Sequence, residues 1–590
     1  MNVLVFLGLA VAAFIVAGRF YARFIARRIG EDKNIPTPAV THCDNRDFVP
    51  TKPYVVFAHH FSAIAGAGPI LGPTMAFLYG FVPAWLWIVL GGIFIGAVHD
   101  FTTLFVSLRE GGRSMAEVAR RTLGIRGFQL FISFTLVMIV LVTSSFLSAT
   151  SISLTSLWPL AKIGVKEGET FLKTVVQIGI PLGRIGGIAS MSVIVITLCS
   201  PVLGWLIFKR GIKMILAYGL AAGICVASVL LGIAFPVSMT PSTWMIVISV
   251  YVLIAAGTPV WVILQPRDFI NVQILYGGIL LMVISLLRGG IGGLRVTAPS
   301  LNLAEGVKSL GLIWPMMFCM IACGAISGFH ALVAGGTTGK QLSCETHARK
   351  VGFNAMLLES LLAVCVLLAL GSALGFGDYK SIVWPIEPGV KSNPILGFSL
   401  AAGQLFHRGL GIPVALGTVF GILLVEGFVV TTLDAAVRLN RYLFEELWGI
   451  LFKKTPRLLK RYWVNSGLSV LIMWGLASSN AFNLLWPIFG TANQMLAAMS
   501  LLAVSAWLML RKKQAWFTLI PAGFMLLTTL ASLVILFAQY IRQKNYILAA
   551  ADVVLFGLAL GVVTLVGKTF ARRGGGIPAA SRGEPQRRVS

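Results

Sequence analysis

The chain has 590 residues, 57% hydrophobic and only 12% charged, whereas soluble domains carry about a quarter charged residues. That balance excludes a soluble enzyme or binding module and makes the chain an all-α polytopic membrane protein. The formal charge of +26 would point to nucleic acid in a soluble protein. Here the basic residues lie in loops between apolar runs, so no nucleic-acid partner is expected.

Apolar windows of spanning length predict about fifteen transmembrane helices: 3–28, 54–80, 84–108, 128–157, 188–208, 213–235, 243–264, 270–287, 309–332, 351–375, 410–436, 463–478, 484–510, 515–538 and 546–568. The first run is read as a retained helix and not a cleaved signal, because its basic residues follow it. With the N-terminus outside and the C-terminus cytoplasmic, the inside segments hold 35 of the 47 Lys and Arg residues and the outside segments 12. That asymmetry satisfies the positive-inside rule. Segment 438–462 alternates apolar and basic residues and is expected to lie along the membrane surface. The tail, 571–590, has the composition of a disordered basic end.

The stretch "HHFSAIAGAGPILGP" (59–73) lies inside the second window. Pro69 lacks an N–H and cannot continue a helix begun before it, but it suits the first turn of a new one. Ala65, Gly66, Ala67, Gly68 and Pro69 therefore read as a break between two half-helices. Backbone groups freed there must face protein or a wet cavity, and the new half-helix offers its positive end to an anion. A second Gly–Pro pair lies in "AAGTPVW" (255–261), with Gly257, Thr258 and Pro259 as the matching break. Two interrupted helices in corresponding positions of inverted halves point to a transporter's substrate site. The first repeat is taken as 54–235, after an N-terminal helix and loop (1–53), and the second as 236–437. Helices of 463–570 follow.

Ionisable residues in apolar spans are functional candidates. Glu426 is the strongest, as a carrier of the coupling proton, and Glu359 and Asp100 follow. Thr337 and Thr338, in "GGTT" after the Gly-rich and interrupted helix that carries His330, could coordinate an ion. His59 and His60 point about 100° apart. They read as substrate-facing or proton-shuttling groups and not as a metal dyad. Asp434 reads as a helix-end partner of Arg438, Arg267 with Asp268 as a surface pair or gate, and Asn493 with Gln494 as interhelical hydrogen-bonding groups. The seven cysteines form no CxxC pair, so neither a disulfide framework nor a zinc site is expected. No Walker A, GxSxG or HExxH motif occurs, so no enzyme activity and no cofactor are expected.

"FAHHFSAIAGAGPILGP" (57–73), "GAVHDF" (96–101), "PVWVILQPRDF" (259–269), "CGAISGFHAL" (323–332), "TTLDAAVRLNRYLFEE" (431–446) and "WPIFGTANQMLA" (486–497) together resemble the carbon starvation protein A family. The resemblance runs from about residue 54 to 500. It departs at His99, where members often carry Gln. It implies a bacterial inner-membrane uptake system with the five-plus-five inverted-repeat core of the LeuT type. Members of that family are described as proton-linked pyruvate transporters and, in some cases, as peptide transporters. The expected function is import of a small carboxylate, pyruvate first, by proton symport during carbon starvation. Peptide or amino-acid uptake is the alternative cargo, and sodium the alternative coupling ion.

Overall fold

The computed structural model describes residues 1–44, 48–163, 172–177, 179–259, 261–387, 390–452 and 454–571. The tail expected to be disordered lies outside them, apart from Ala571. Among the described residues, 11 helices are long and apolar enough to cross a membrane, and 12 if the bent pair Pro53–Ile64 and Gly68–Tyr79 counts as one span. The protein is an all-α membrane protein. Its only described sheet is small: strands Trp158–Pro159, Thr174–Gln177 and Ile180–Gly183, antiparallel, in the loop after helix Ile125–Ser153.

Burial separates inner from outer helices. Ile125–Ser153 and Arg349–Ser372 are each 83% buried over their apolar windows and Phe482–Leu510 is 89% buried, whereas Met214–Ala234 is 17% buried. The first three form the centre of the bundle and the last faces lipid. Central helices need polar residues that cost nothing in an apolar setting. Helix Ile125–Ser153 manages this by turning hydroxyls back on its own carbonyls, as in Ser144 Oγ to Val140 O at 2.7 Å and Ser145 Oγ to Leu141 O at 2.9 Å.

Two discontinuous helices run antiparallel through this centre. The first comprises Pro53–Ile64 and Gly68–Ala76, bent by 43° at the residues between them. The second comprises Ile313–Met320 and Phe329–Gly336, joined by the non-helical stretch 321–328. They cross at their breaks. A Cβ built on Gly68 would stand 2.5 Å from Cys323 Cβ, and closer still to its sulfur. Only glycine leaves room for this approach.

The partner of the first break is therefore 321–328 and not Gly257–Pro259. Helix Pro241–Gly257 simply ends at its Gly, and the next helix, Leu264–Ile291, starts after a short turn. Proline just past a helix end is a stop signal. The terminal carbonyls are held by cations: Arg438 Nη2 donates to Ala255 O at 2.9 Å and to Thr258 O at 2.7 Å, and Arg441 Nη1 to Ala256 O at 3.4 Å. Gly257 packs on the Tyr462 ring.

Three further expectations change. Segment 438–462 does not start a separate surface element, because helix Val414–Leu451 runs unbroken through Arg438 and buries Asn440, Leu443 and Phe444. Residues 394–410, read as loop, form helix Pro394–Leu410, capped by Asn393 at Leu396 N. Small residues let it lie close along the next helix, Gly421 against Ser399 and Gly403 against Thr418. Arg267 is no surface residue. At 1% exposure it lies 3.3 Å from Asp434, itself 2% exposed, and Tyr251 bridges the pair, accepting from Arg267 at 2.8 Å and donating to Asp434 at 2.6 Å. Asp434 thus pairs with Arg267 and not with Arg438. Removing one partner would strand the other charge in the interior, so Arg267→Ala should cost about 3–5 kcal/mol. Thermal unfolding in detergent checks this, with Asp434→Ala as the reciprocal variant.

Candidate functional site

The breaks leave backbone groups that lipid cannot satisfy. Helix Phe482–Leu510 satisfies those of the second break with the residues "WPIFGTANQ". Trp486 Nε1 donates to Met320 O at 3.2 Å, and Gln494 Nε2 to Phe318 O at 2.6 Å and to Ile321 O at 3.2 Å. Asn493 accepts from Phe329 N at 3.0 Å through its side chain and from Gly328 N at 3.0 Å through its carbonyl, and its Nδ2 donates to Ser327 Oγ at 3.1 Å. Asn493 and Gln494 thus make the interhelical hydrogen bonds expected of them, and the groups they serve are those of an unwound backbone. Asn493→Leu should leave Phe329 N and Ser327 Oγ without these partners at a cost of about 1–3 kcal/mol, read as a lowered melting temperature of the purified protein.

Beside the second break lies a buried chain of ionisable groups. Asp100 accepts two histidines, His99 Nδ1 at Oδ1 and His330 Nδ1 at Oδ2, both at 2.7 Å. On its other side, His330 Nε2 stands 3.3 Å from Glu359 Oε2. Asp100 and Glu359, separated by more than 250 positions in sequence, thus flank one imidazole. His60, fully buried, pairs with Thr338 Oγ1 at 2.8 Å, and its Nε2 has no hydrogen-bond partner.

The other candidates are spread through the bundle. Ala65, Gly66 and Ala67 are unwound, with Gly68 and Pro69 opening the new half-helix. Gly66, Ala67 and Gly68 line a space of only about 30 Å³ with Cys323, Ser327 and Asn493, room for no more than a few waters. His59 and Thr337 lie apart from it, on a cavity of about 490 Å³ shared with Asp268, Thr431 and Arg438. This cavity lies toward the bundle end that carries Arg438 and Arg441. A second cavity, about 300 Å³, lies at the opposite end, lined by Ser148, Ile152, Ser242 and Asn480 among others.

Glu426 sits between these two cavities. It is fully buried, and neither carboxylate oxygen makes a hydrogen bond, although Thr150 and Ser153 lie beside it. Its chain neighbours Gly427 and Phe428 line the larger cavity, and Ile152, next to Ser153, lines the smaller one.

Gly257, Thr258 and Pro259 join none of these groups. Sequence reasoning did not assign Cys323 or His330 to the site; the topology places them against Gly68 and Asp100. The signal was present in "CGAISGFH", where two glycines interrupt an apolar run, but it lacks the proline that marked the other stretches.

Spanning helices, two of them discontinuous and crossing at their breaks between separate cavities, define a polytopic α-helical membrane protein with an interrupted centre. The family described as "Carbon starvation protein CstA" matches residues 2–387 and 378–532. The chain belongs to this family. It is 30% identical to the "Peptide transporter CstA" of Campylobacter jejuni over 88% of this chain and 78% of that one. It is 30% identical to the corresponding "Peptide transporter CstA" of Bacillus subtilis, over 96% and 95%. It is also 30% identical to the "Pyruvate/proton symporter BtsT" of Escherichia coli, over 88% and 80%. Among solved structures, a manganese transporter of Eremococcus coleocola aligns with a TM-score of 0.47 at 10% identity, over 90% of this chain and 99% of that one. MhsT in complex with L-phenylalanine aligns with a TM-score of 0.45 at 11% identity, over 87% and 100%.

Proposed function

We propose that the protein is a secondary transporter of the bacterial inner membrane that imports a small carboxylate, pyruvate first, together with a proton. The observation that carries this reading is the crossing of two helix breaks between separate cavities at the two ends of the bundle. Parting the breaks would open the centre to one cavity or the other in turn, which is the movement alternating access needs. In this conformation the central space is too small for cargo, which enters it only when the breaks separate.

Each group has a role in this reading. Gly66, Ala67 and Gly68 line the central space at the positive end of the half-helix that Gly68 opens, and this end would hold a carboxylate. Asp100 and Glu359 flank His330 on its two sides. Glu426, buried without a hydrogen-bond partner, is the group for the transported proton. The bundle end with Arg438 faces the cytoplasm, following the distribution of Lys and Arg.

A second cargo, short peptides, is favoured by the larger cavity. It carries a carboxylate (Asp268) and a guanidinium (Arg438) on one wall system with apolar Phe329, Leu332 and Phe428. Such a space suits a molecule bearing both charges.

The deciding experiment is uptake of labelled pyruvate and of a labelled dipeptide into proteoliposomes under imposed proton or sodium gradients. Proton-driven pyruvate accumulation, not competed by dipeptide, supports the first reading. Accumulation of dipeptide alone replaces pyruvate with peptide. Accumulation driven only by sodium removes the proton from the mechanism. No accumulation of either cargo under any gradient defeats the transporter reading.

A further inference from the structure

We propose that Cys323, His330 and Glu359 form a binding site for a borderline-soft divalent cation of the Zn²⁺ type, built into the second helix break. Each side chain offers one ligand atom, and the three atoms lie within 4.8 Å of one another. His330 Nε2 and Glu359 Oε2 are 3.3 Å apart, close to the edge of about 3.3 Å that a tetrahedral site with bonds of about 2.0 Å requires.

The surroundings orient these atoms for a cation. Asp100 Oδ2 lies 2.7 Å from His330 Nδ1. A proton held on Nδ1 by that carboxylate leaves the Nε2 lone pair facing Glu359. This carboxylate–histidine arrangement is how proteins fix the tautomer and orientation of a metal-bound imidazole. His330 Nε2 and both Glu359 oxygens are buried and make no hydrogen bond, with the residues 1% and 0% exposed. The close polar contact of His330 Nε2 and Glu359 Oε2 is with each other at 3.3 Å; buried polar atoms without hydrogen bonds are costly, and one bound cation would engage them together. Cys323 completes the set. Its sulfur accepts from Asn493 Nδ2 at 3.5 Å, and the residue lines the small central space, whose wall residues Phe329 and Thr432 also line the larger cavity.

The donor set selects the ion. Sulfur, nitrogen and oxygen together suit Zn²⁺ and its heavier congener Cd²⁺, whereas Mg²⁺ and Ca²⁺ prefer oxygen alone. A thiolate and a carboxylate balance the double positive charge around a neutral imidazole, and the thiol proton leaves to solvent on binding. The site ties the break at Cys323 to helix Arg349–Ser372 at Glu359, and Gly68 of the other break rests on Cys323. An occupied site therefore holds the crossing shut. Binding does not depend on the transporter reading; inhibition of uptake by the ion does.

The test uses the full chain, purified in detergent, with Cd²⁺ as probe and Zn²⁺ as competitor. Cys43, which is exposed, and Cys199, Cys225 and Cys344, which are half-buried, are first changed to Ser together to give a clean background. Expected are an ultraviolet thiolate-to-Cd²⁺ charge-transfer band at one equivalent per chain, its displacement by Zn²⁺, and a melting temperature raised by Zn²⁺. Cys323→Ser should remove the band and the thermal shift. Asp100→Asn should keep the band but weaken affinity about 10- to 100-fold. The unliganded melting temperature of each variant reports whether it is folded, and Cys323→Ala serves if the Ser variant is not. Absence of the band in the background protein overturns the proposal. So does a band and a Zn²⁺ shift that persist when Cys323 is replaced.

Discussion

Replacing Gly68 with Val should cut uptake at least tenfold while the protein still inserts in the membrane. Any Cβ at this position meets Cys323 Cβ at 2.5 Å and overlaps its sulfur, well inside van der Waals contact. Overpacking of this kind typically costs about 1–3 kcal/mol when a core can shift. Here the shift must part the two breaks, the element on which transport is proposed to depend. Uptake should fall about 10- to 100-fold on that scale, since each 1.4 kcal/mol is tenfold. Pairing the milder Gly68→Ala with Cys323→Gly removes the opposing side chain and should restore uptake. Normal transport by Gly68→Val would mean that the crossing is a packing detail and not the moving part.

Glu426→Gln should separate transport from its driving force. With one proton carried per cargo, each pH unit of gradient is worth about 1.4 kcal/mol, or tenfold accumulation. The amide cannot take up and release that proton, so net accumulation should drop to the level reached without a gradient. Exchange of labelled for unlabelled cargo, which needs no net proton movement, should continue. The side chain has the same shape, and its amide can still meet the Thr150 and Ser153 hydroxyls beside it, so folding should be little affected. An unchanged pH dependence of uptake in this variant would make Glu426 a structural residue and move the proton elsewhere.

The two predictions differ in how far they could be read from sequence. The break at Ala65–Pro69 was legible because two glycines and a proline inside an apolar window have a direct backbone consequence. Glu426 was legible because a carboxyl in an apolar run has a direct solvation cost. The partner of the break was not. "AAGTPVW" carries the same residue types as "AGAGP", but one ends a helix whose carbonyls Arg438 and Arg441 hold, and the other interrupts a span. Local composition cannot tell these apart, because the difference lies in which groups arrive to satisfy the freed backbone. The true partner, "CGAISG", has no proline. What marks it in the structure is the set of hydrogen bonds from Trp486, Asn493 and Gln494, more than 160 positions away.

Arg267 shows the same limit for charge. A guanidinium near a helix end reads as a surface group until Asp434 and Tyr251, from two other helices, are seen to surround it. Helix Pro394–Leu410 was missed because its window is short and rich in Gly and polar residues. Its stability comes from packing on Val414–Leu451 and not from its own hydropathy.

By itself the sequence determined that this chain lives in a membrane, where most of its helices run, and that the stretch after His60 breaks its helix, because each follows from how a short segment meets lipid or water. Only the tertiary structure decided which break meets which, that Asp100 and Glu359 share His330, and that Cys323 lies against Gly68. Those are contacts between segments hundreds of residues apart, and they follow from the packing of whole helices, which no local window contains.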